Sequence, residues 1–313
     1  MNRLGEWLTN AVWVIDKVSA FTRRIFDQAH RALRVWIYRL GPKTMASVGY
    51  AEFREAQILS AIGKKTITAS KIPDGFGIGL DERIVEYPWV FSRIKPGAER
   101  LLDAGSVLNF DAILRRPELQ SKHIFISTLA PEPNNFWWRR ISYTYEDLRH
   151  ASFRDEYFDK IVCLSTIEHV GMDNTAYKRG VRGENPERQT GDAHTFLMEL
   201  HRMLKPGGTL LLSFPFGKKA QHSWLQVFDS SDIEKMASLF QPHIQSASYF
   251  RYTQQGWKPC MPEQAANATY NHTRDPANPI AAMPSGASGP SQAARNIFAS
   301  FGATMRLVAV TPE

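Results

Sequence analysis

The sequence predicts an α/β fold built on an open, mostly parallel sheet, and three observations carry that expectation. From Arg100 onward, short apolar runs at 100–105, 123–127, 141–145, 159–165 and 209–214 alternate with helical or irregular segments. That alternation is the pattern of parallel strands joined by crossovers and covered on both faces. The stretch Arg100–Ala112, RLLDAGSVLNFDA, brings an apolar run to Asp103 and Gly105 and continues at once as a polar, helix-compatible segment. A tight turn therefore sits at the carboxyl end of a buried strand, where open sheets bind ligands. Residues 191–217, GDAHTFLMELHRMLKPGGTLLLSFPFG, read as an amphipathic helix, a Pro-Gly-Gly turn and a further buried strand.

The N-terminal extension, residues 1–42, carries the helical period over 7–40: Leu8, Val12, Ile15, Phe21, Ile25, Ala29, Leu33, Trp36 and Leu40 recur at three and four, and Gly41-Pro42 stops it. Two readings stay open. The helix packs on the main domain or a partner subunit, as in a homo-oligomer, or it lies in a membrane interface, which Trp7, Trp13, Trp36 and the surplus of arginines suit. Residues 43–97 read as a helical cap and connector: a helix over Ala51–Ile62, a glycine-rich GFGIG, and YPWVFSRI as a short helix roofing a pocket. GFGIG lacks the lysine and Ser/Thr of a phosphate-binding loop.

The main domain, 98–313, carries two insertions. Residues 171–192 form a charged loop, and 253–291 are rich in Pro, Gly and Asn without steady periodicity, as a lid or solvated linker before a last helix, Gln292–Phe301. The loop 130–140, APEPNNFWWRR, is expected on the rim.

Bulk properties narrow the class. With 313 residues, 43% of them hydrophobic, the chain can bury a full core. Its net charge of +7 permits anionic partners, but no zinc-finger spacing or aromatic-basic stripe appears, so nucleic acid is not expected. Two cysteines, Cys163 and Cys260, make neither a disulfide framework nor a metal cluster, and a cytoplasmic placement, peripheral to a membrane at most, is the expectation. No apolar stretch reaches transmembrane length.

LLDAGS at 101–106, YEDLRHASFRDEYFDKIVCLSTIEHV at 145–170 and LKPGGTLLLSFPFG at 204–217, in that order, resemble a class I S-adenosylmethionine-dependent methyltransferase of the type 11 group. The resemblance covers about residues 98–255, with a last strand returning at Met305–Val310. It implies a Rossmann-like sheet of seven strands, the final antiparallel one inserted between its neighbours. It implies S-adenosyl-L-methionine as cofactor and methyl transfer to a hydroxyl or amine of a small or sugar-like acceptor, as in glycan biosynthesis. Alternatives are a methyltransferase-like partner module with weak or absent cofactor binding, and a membrane-associated scaffold.

The resemblance implies site residues one by one. Asp103, Gly105 and Ser106 would lie near the methionine half of the cofactor. Asp147 would meet the adenine amino group, with Leu148 beside the ring. Glu168 and His169 would line the cofactor and face the acceptor, His169 as base or orienting residue. Apart from the resemblance, His222 and Trp224, just past a strand end on a loop bearing Lys218 and Lys219, suit recognition of a polar or anionic acceptor, although Asp229-Ser230-Ser231-Asp232 beside them also reads as a plain helix cap. No metal is implied. The sequence departs from the family pattern at Val107 and Asn109, where further glycines are expected, and at Ser127-Thr128-Leu129-Ala130, where a ribose-binding carboxylate is missing and Glu132 is the nearest replacement.

Overall fold

The computed structural model describes residues 22, 25–41, 47–65, 72–174, 192–222, 224–240, 244–269 and 304–310. Residues 1–21 of the extension, most of the 171–192 loop, the 270–291 portion of the second insertion and the expected helix 292–301 lie outside them. The chain divides into two compact units, residues 1–57 and 58–313.

In the first unit, helix α1 (25–40) turns into α2 (Tyr50–Gly63), which continues into the second unit. Arg34 Nε meets Glu52 at 2.6 Å and Arg31 pairs with Glu55, while the buried Tyr38 ring lies 5.9 and 4.8 Å from the rings of Tyr50 and Phe53. Gly49 makes the turn tight: at φ +86°, a Cβ there would come within 1.9 Å of the Arg34 carbonyl oxygen.

The second unit holds one sheet of eight strands. They are β1 (Arg100–Ala104), β2 (His123–Thr128), β3 (Ile141–Tyr145), β4 (Phe158–Leu164), β5 (Leu204–Pro215), β8 (Ile244–Thr253), β9 (Gly256–Cys260) and β10 (Thr304–Val310), in the order β3-β2-β1-β4-β5-β10-β8-β9. The two short strands β6 (Ala220–Gln221) and β7 (Gln226–Val227) pair separately. The first five in the order are parallel, and β10 runs antiparallel between β5 and β8. The expected seven strands become eight because β8 turns back on itself at Gly256, φ +87°, and adds β9 at the edge. Part of the segment read as a lid is therefore hairpin, followed by the short helix α7 (Pro262–Ala265).

Strand alternation sets the two faces. The short helix α4 (Asp111–Leu114) follows the turn after β1. Leu102, Ala104, Phe125, Ile161, Leu210 and Leu212 form one apolar layer with Phe196, Leu197 and Leu200 of α5 (Asp192–Met203). On the other face Leu101, Asp103, Ile126, Val162, Leu211 and Ser213 are equally buried. There Ser213 Oγ donates to Glu86 of α3 (Arg83–Phe91) at 2.5 Å, so α3 covers that face. This helix begins four residues before the expected YPWVFSRI. GFGIG is structural as well: Gly79 N donates to Tyr252 Oη at 2.7 Å and Trp257 Nε1 to the Leu80 carbonyl at 3.0 Å, tying the β8–β9 hairpin to it. Pro206-Gly207-Gly208, expected as a turn, is taken into β5, where the register with β4 shifts between Phe158 and Lys160.

Candidate functional site

Five parallel strands direct their carboxyl ends to one side, and beside β1–β4 lies a cleft with a cavity volume of about 260 Å³. Gly105, Asp147, Leu148, Glu168 and His169 all line it. Asp103, Ser106 and His222 do not.

Asp103 ends β1 fully buried, and its carboxylate accepts from the amides of Val107 at 3.0 Å and Leu108 at 2.8 Å. Burial lifts its pKa to about 7 against the pull of those two amides. The side chain shapes the turn from beneath. Gly105, at φ +110°, is required by its neighbour as much as by its backbone, since a Cβ there would come within 2.2 Å of Thr166 Oγ1. Ser106, at φ +63°, donates to Glu132 at 2.6 Å. Glu132 also accepts from Asn109 Nδ2 at 3.2 Å, and Asn109 Oδ1 accepts from Tyr143 Oη at 3.0 Å. The carboxylate after β2 thus braces the first turn, and Asn109, standing where a glycine was expected, is the cross-tie. Val107 is held by its carbonyl, which accepts from Tyr87 Oη of α3.

After β3, Asp147 caps a 3-10 turn over Leu148–His150 and accepts from the Arg149 amide at 2.9 Å and the Arg149 guanidinium at 2.5 Å. Burial pushes its pKa up, but those Arg149 contacts outweigh it and hold the carboxyl below its usual range. Arg149 in turn pairs with Asp192 at the start of α5.

Beyond β4, Glu168 is buried, with His169 Nε2 3.9 Å from its Oε1. Burial first, then the charge of Glu86, raises its pKa well above the usual carboxylate range. His169 Nδ1 lies 2.7 Å from the carbonyl oxygen of Trp224, and the two rings stack at 5.0 Å. A carbonyl only accepts, so Nδ1 carries the hydrogen. Burial depresses the imidazole pKa to about 4, opposed by that bond.

His222 stays out of the cleft, and Trp224, two residues on, takes the place expected of it. Lys219 pairs with Asp232 at 2.6 Å, and Asp229 with Asp232 forms the capping box of α6 (Ser230–Ser238), which is the plain structural role. The rim loop carries exposed Trp137 and Trp138.

Several lining residues escaped the sequence reading: Glu82 and Arg83 before and in α3, Ser127 in β2, Glu146 and Asn174. The Arg83–Glu86 contact at 2.7 Å is an i,i+3 pair in an otherwise apolar helix, the one local signal that α3 meets something polar. Burial, then Asp81 and Glu86, raise the Glu82 pKa to about 7. The carboxyls Glu82, Glu146, Asp147 and Glu168 face only two guanidinium groups, Arg83 and Arg149, among the charged lining side chains. Ser127 Oγ, Glu146 Oε1, Glu168 Oε2 and Asn174 Oδ1 are buried without a hydrogen-bond partner. Buried polar atoms are normally paired, so four such atoms around one cleft mark a place built for a polar ligand. Among the described residues no group of three His, Cys, Asp or Glu is placed to hold a metal ion.

A family model described as a methyltransferase domain matches residues 125–212, from β2 to the middle of β5. No curated protein matches the sequence at a significant level. Similar solved structures include the cyclase SpnF, 14% identical over 85% of this chain and 96% of that one, TM-score 0.45. Another is the 1,6-didemethyltoxoflavin-N1-methyltransferase of Burkholderia thailandensis, 12% identical over 84% and 89%, TM-score 0.40. A third is phosphoethanolamine N-methyltransferase 2 of Haemonchus contortus, 15% identical over 72% and 52%, TM-score 0.41.

Proposed function

We propose that this chain, which carries a class I S-adenosylmethionine-dependent methyltransferase domain, moves a methyl group from S-adenosyl-L-methionine to a hydroxyl or amine of a small or sugar-like acceptor. The observation that carries the reading is the set of four unpartnered buried polar atoms around the cleft at the strand ends. The residues fit the cofactor. A sulfonium and an ammonium suit a cleft where carboxyls outnumber guanidiniums, and the ribose and adenine polar atoms suit Ser127, Glu146 and Asp147. Leu148, Leu129 and Val107 offer apolar contact to a base.

When bound, the cofactor supplies an activated methyl group, and the protein's task is alignment and exclusion of water. Trp224 fixes the His169 ring with its Nδ1 protonated, leaving the lone pair on Nε2 on the Glu168 side. At neutral pH a ring with a pKa near 4 is unprotonated and a weak base. A weak base suffices here: as the acceptor atom gains the methyl it also gains positive charge, and its proton becomes acidic enough to pass to Nε2. Burial disfavours the charged form of Glu168 until a cation arrives, and its carboxyl lies 3.9 Å from Nε2.

Calorimetric titration of the whole chain with S-adenosylmethionine and with S-adenosylhomocysteine tests this. The expected result is one saturable site for each, weakened about tenfold by Glu146→Gln with Asp147→Asn. Absence of saturable heat with both compounds would overturn it and leave a methyltransferase-like partner module. The lack of an acid in Ser127–Ala130, with Glu132 held at the first turn, and the start of the family match at Phe125, beyond that turn, favour that second reading.

A further inference from the structure

The first unit is amphipathic the wrong way round for a free helical hairpin. Helix α1 faces α2 with Arg31, Arg34 and the buried Tyr38, so its contact side is largely polar and ion-paired. Its opposite side is apolar. At 100° per residue, Ile25, Phe26, Leu33, Trp36, Ile37 and Leu40 fall within about 120° of the circumference, one continuous stripe. All six are exposed, Phe26 by 79%, Leu40 by 69%, Trp36 by 58% and Leu33 by 52%. A contiguous apolar stripe of this kind marks an interaction surface rather than scattered exposure. In the sequence, the same three-and-four spacing runs back to Leu8.

We propose that α1 docks its outer stripe on an anionic lipid surface, lying in the headgroup layer. The charges choose that occupant. Arg31 and Arg34 are engaged by Glu55 and Glu52 across the hairpin, but Arg39 is exposed at the edge of the stripe, and Asp27, the one acid within 25–40, lies on the far side of the helix. A second copy of the chain would offer the stripe no acid to meet Arg39, since a twofold interface presents the same patch from both sides and would add only the same exposed arginine. Anionic headgroups complement it, and each arginine near such a surface adds attraction. Trp36 within the stripe suits the boundary between headgroup and acyl chain. None of the described helices is long and apolar enough to cross a membrane, so the contact is with the surface. The inference is independent of methyl transfer.

The test is co-sedimentation of the full chain with vesicles of phosphatidylcholine alone and of phosphatidylcholine with about 30% phosphatidylglycerol. Binding at least about tenfold tighter to the anionic vesicles, weakened by salt, is expected. The variant Phe26→Ser, Leu33→Ser, Trp36→Ser, Leu40→Ser should lose about tenfold or more of that binding while keeping the wild-type circular dichroism melt, since all four side chains are exposed. Should that variant melt early, Trp36→Phe serves instead: quenching of tryptophan fluorescence by brominated anionic lipid should fall relative to wild type. No partition of the wild type, unchanged partition of the folded variant, or unchanged quenching with Trp36→Phe would each overturn the proposal. So would a dimer at equilibrium sedimentation that the variant dissolves and vesicles do not affect.

Discussion

His169 holds its Nδ1–H on the carbonyl oxygen of Trp224 at 2.7 Å, with the two rings stacked. The imidazole is thereby oriented by a segment more than fifty positions away, and its neutral form is fixed as a single tautomer. Burial sets its pKa near 4, below the unfolded value near 6.5, so its contribution to stability is complete above 6.5 and is lost as pH falls towards 4. Methyl transfer should therefore be flat from about pH 6 to 8 with respect to this group and fall only in acid. His169→Gln should lower turnover by about a hundredfold with little change in cofactor affinity. A pH-rate profile and calorimetry on the same preparations read both, and equal losses in turnover and cofactor binding would make His169 a part of the cofactor wall alone.

Asp103 was expected to hold the cofactor, yet both of its oxygens serve the turn that follows it. Asp103→Asn keeps the volume but can accept through one oxygen only, leaving one buried amide unpaired. Destabilisation of about 1 to 3 kcal/mol in urea unfolding is expected. Cofactor affinity should fall in step with the disordered turn. A variant with full stability and a selective loss of cofactor binding would return Asp103 to direct contact with the ligand.

The central parallel strands were legible because they are buried on both faces and carry apolar runs, as IVCL in β4 and LLLSF in β5 do, whereas the edge strand β3, ISYTY, is only partly buried. The strand-end residues Gly105, Glu168 and His169 followed from those runs, since a strand's end fixes where the next residue points, and Asp147 followed from the family resemblance. What the sequence hid is what depends on distant partners. Glu86 becomes intelligible only when Ser213, 127 positions on, donates to it. Glu132 was free in sequence to reach the ribose position, but Ser106 and Asn109 hold it at the first turn. Strand β9, GWKPC, has a proline and a lysine against strand propensity, and it forms because Trp257 is buried and bonded to Leu80.

Gly105 and Thr166 touch across the ends of β1 and β4, and this contact admits a double-mutant test. Gly105→Ala introduces both a clash with the Thr166 side chain and a φ that alanine tolerates poorly. A loss of about 2 to 4 kcal/mol is expected. Adding Thr166→Ala should relieve the side-chain part and leave the backbone part, so the pair should be less destabilised than the sum of the two single variants. Additive losses would show that the backbone strain alone requires glycine.

Glu168 lies buried with one oxygen unpartnered and its pKa raised well above the usual range, first by burial and then by Glu86. The sign of the stability effect follows. A carboxyl protonated in the fold but ionised in the unfolded chain contributes its full share below the unfolded pKa near 4.5, and that share is lost as pH rises towards the folded value. Glu168→Gln cannot ionise and should remove this slope, so its melting temperature should gain on wild type steadily from pH 5 to pH 8. S-adenosylmethionine, which carries a sulfonium, should bind wild type with proton release, visible as a buffer-dependent binding enthalpy, and should bind the glutamine variant with less. Parallel melting curves of the two proteins across that pH range would mean that Glu168 is already ionised in the empty cleft, balanced by Arg83.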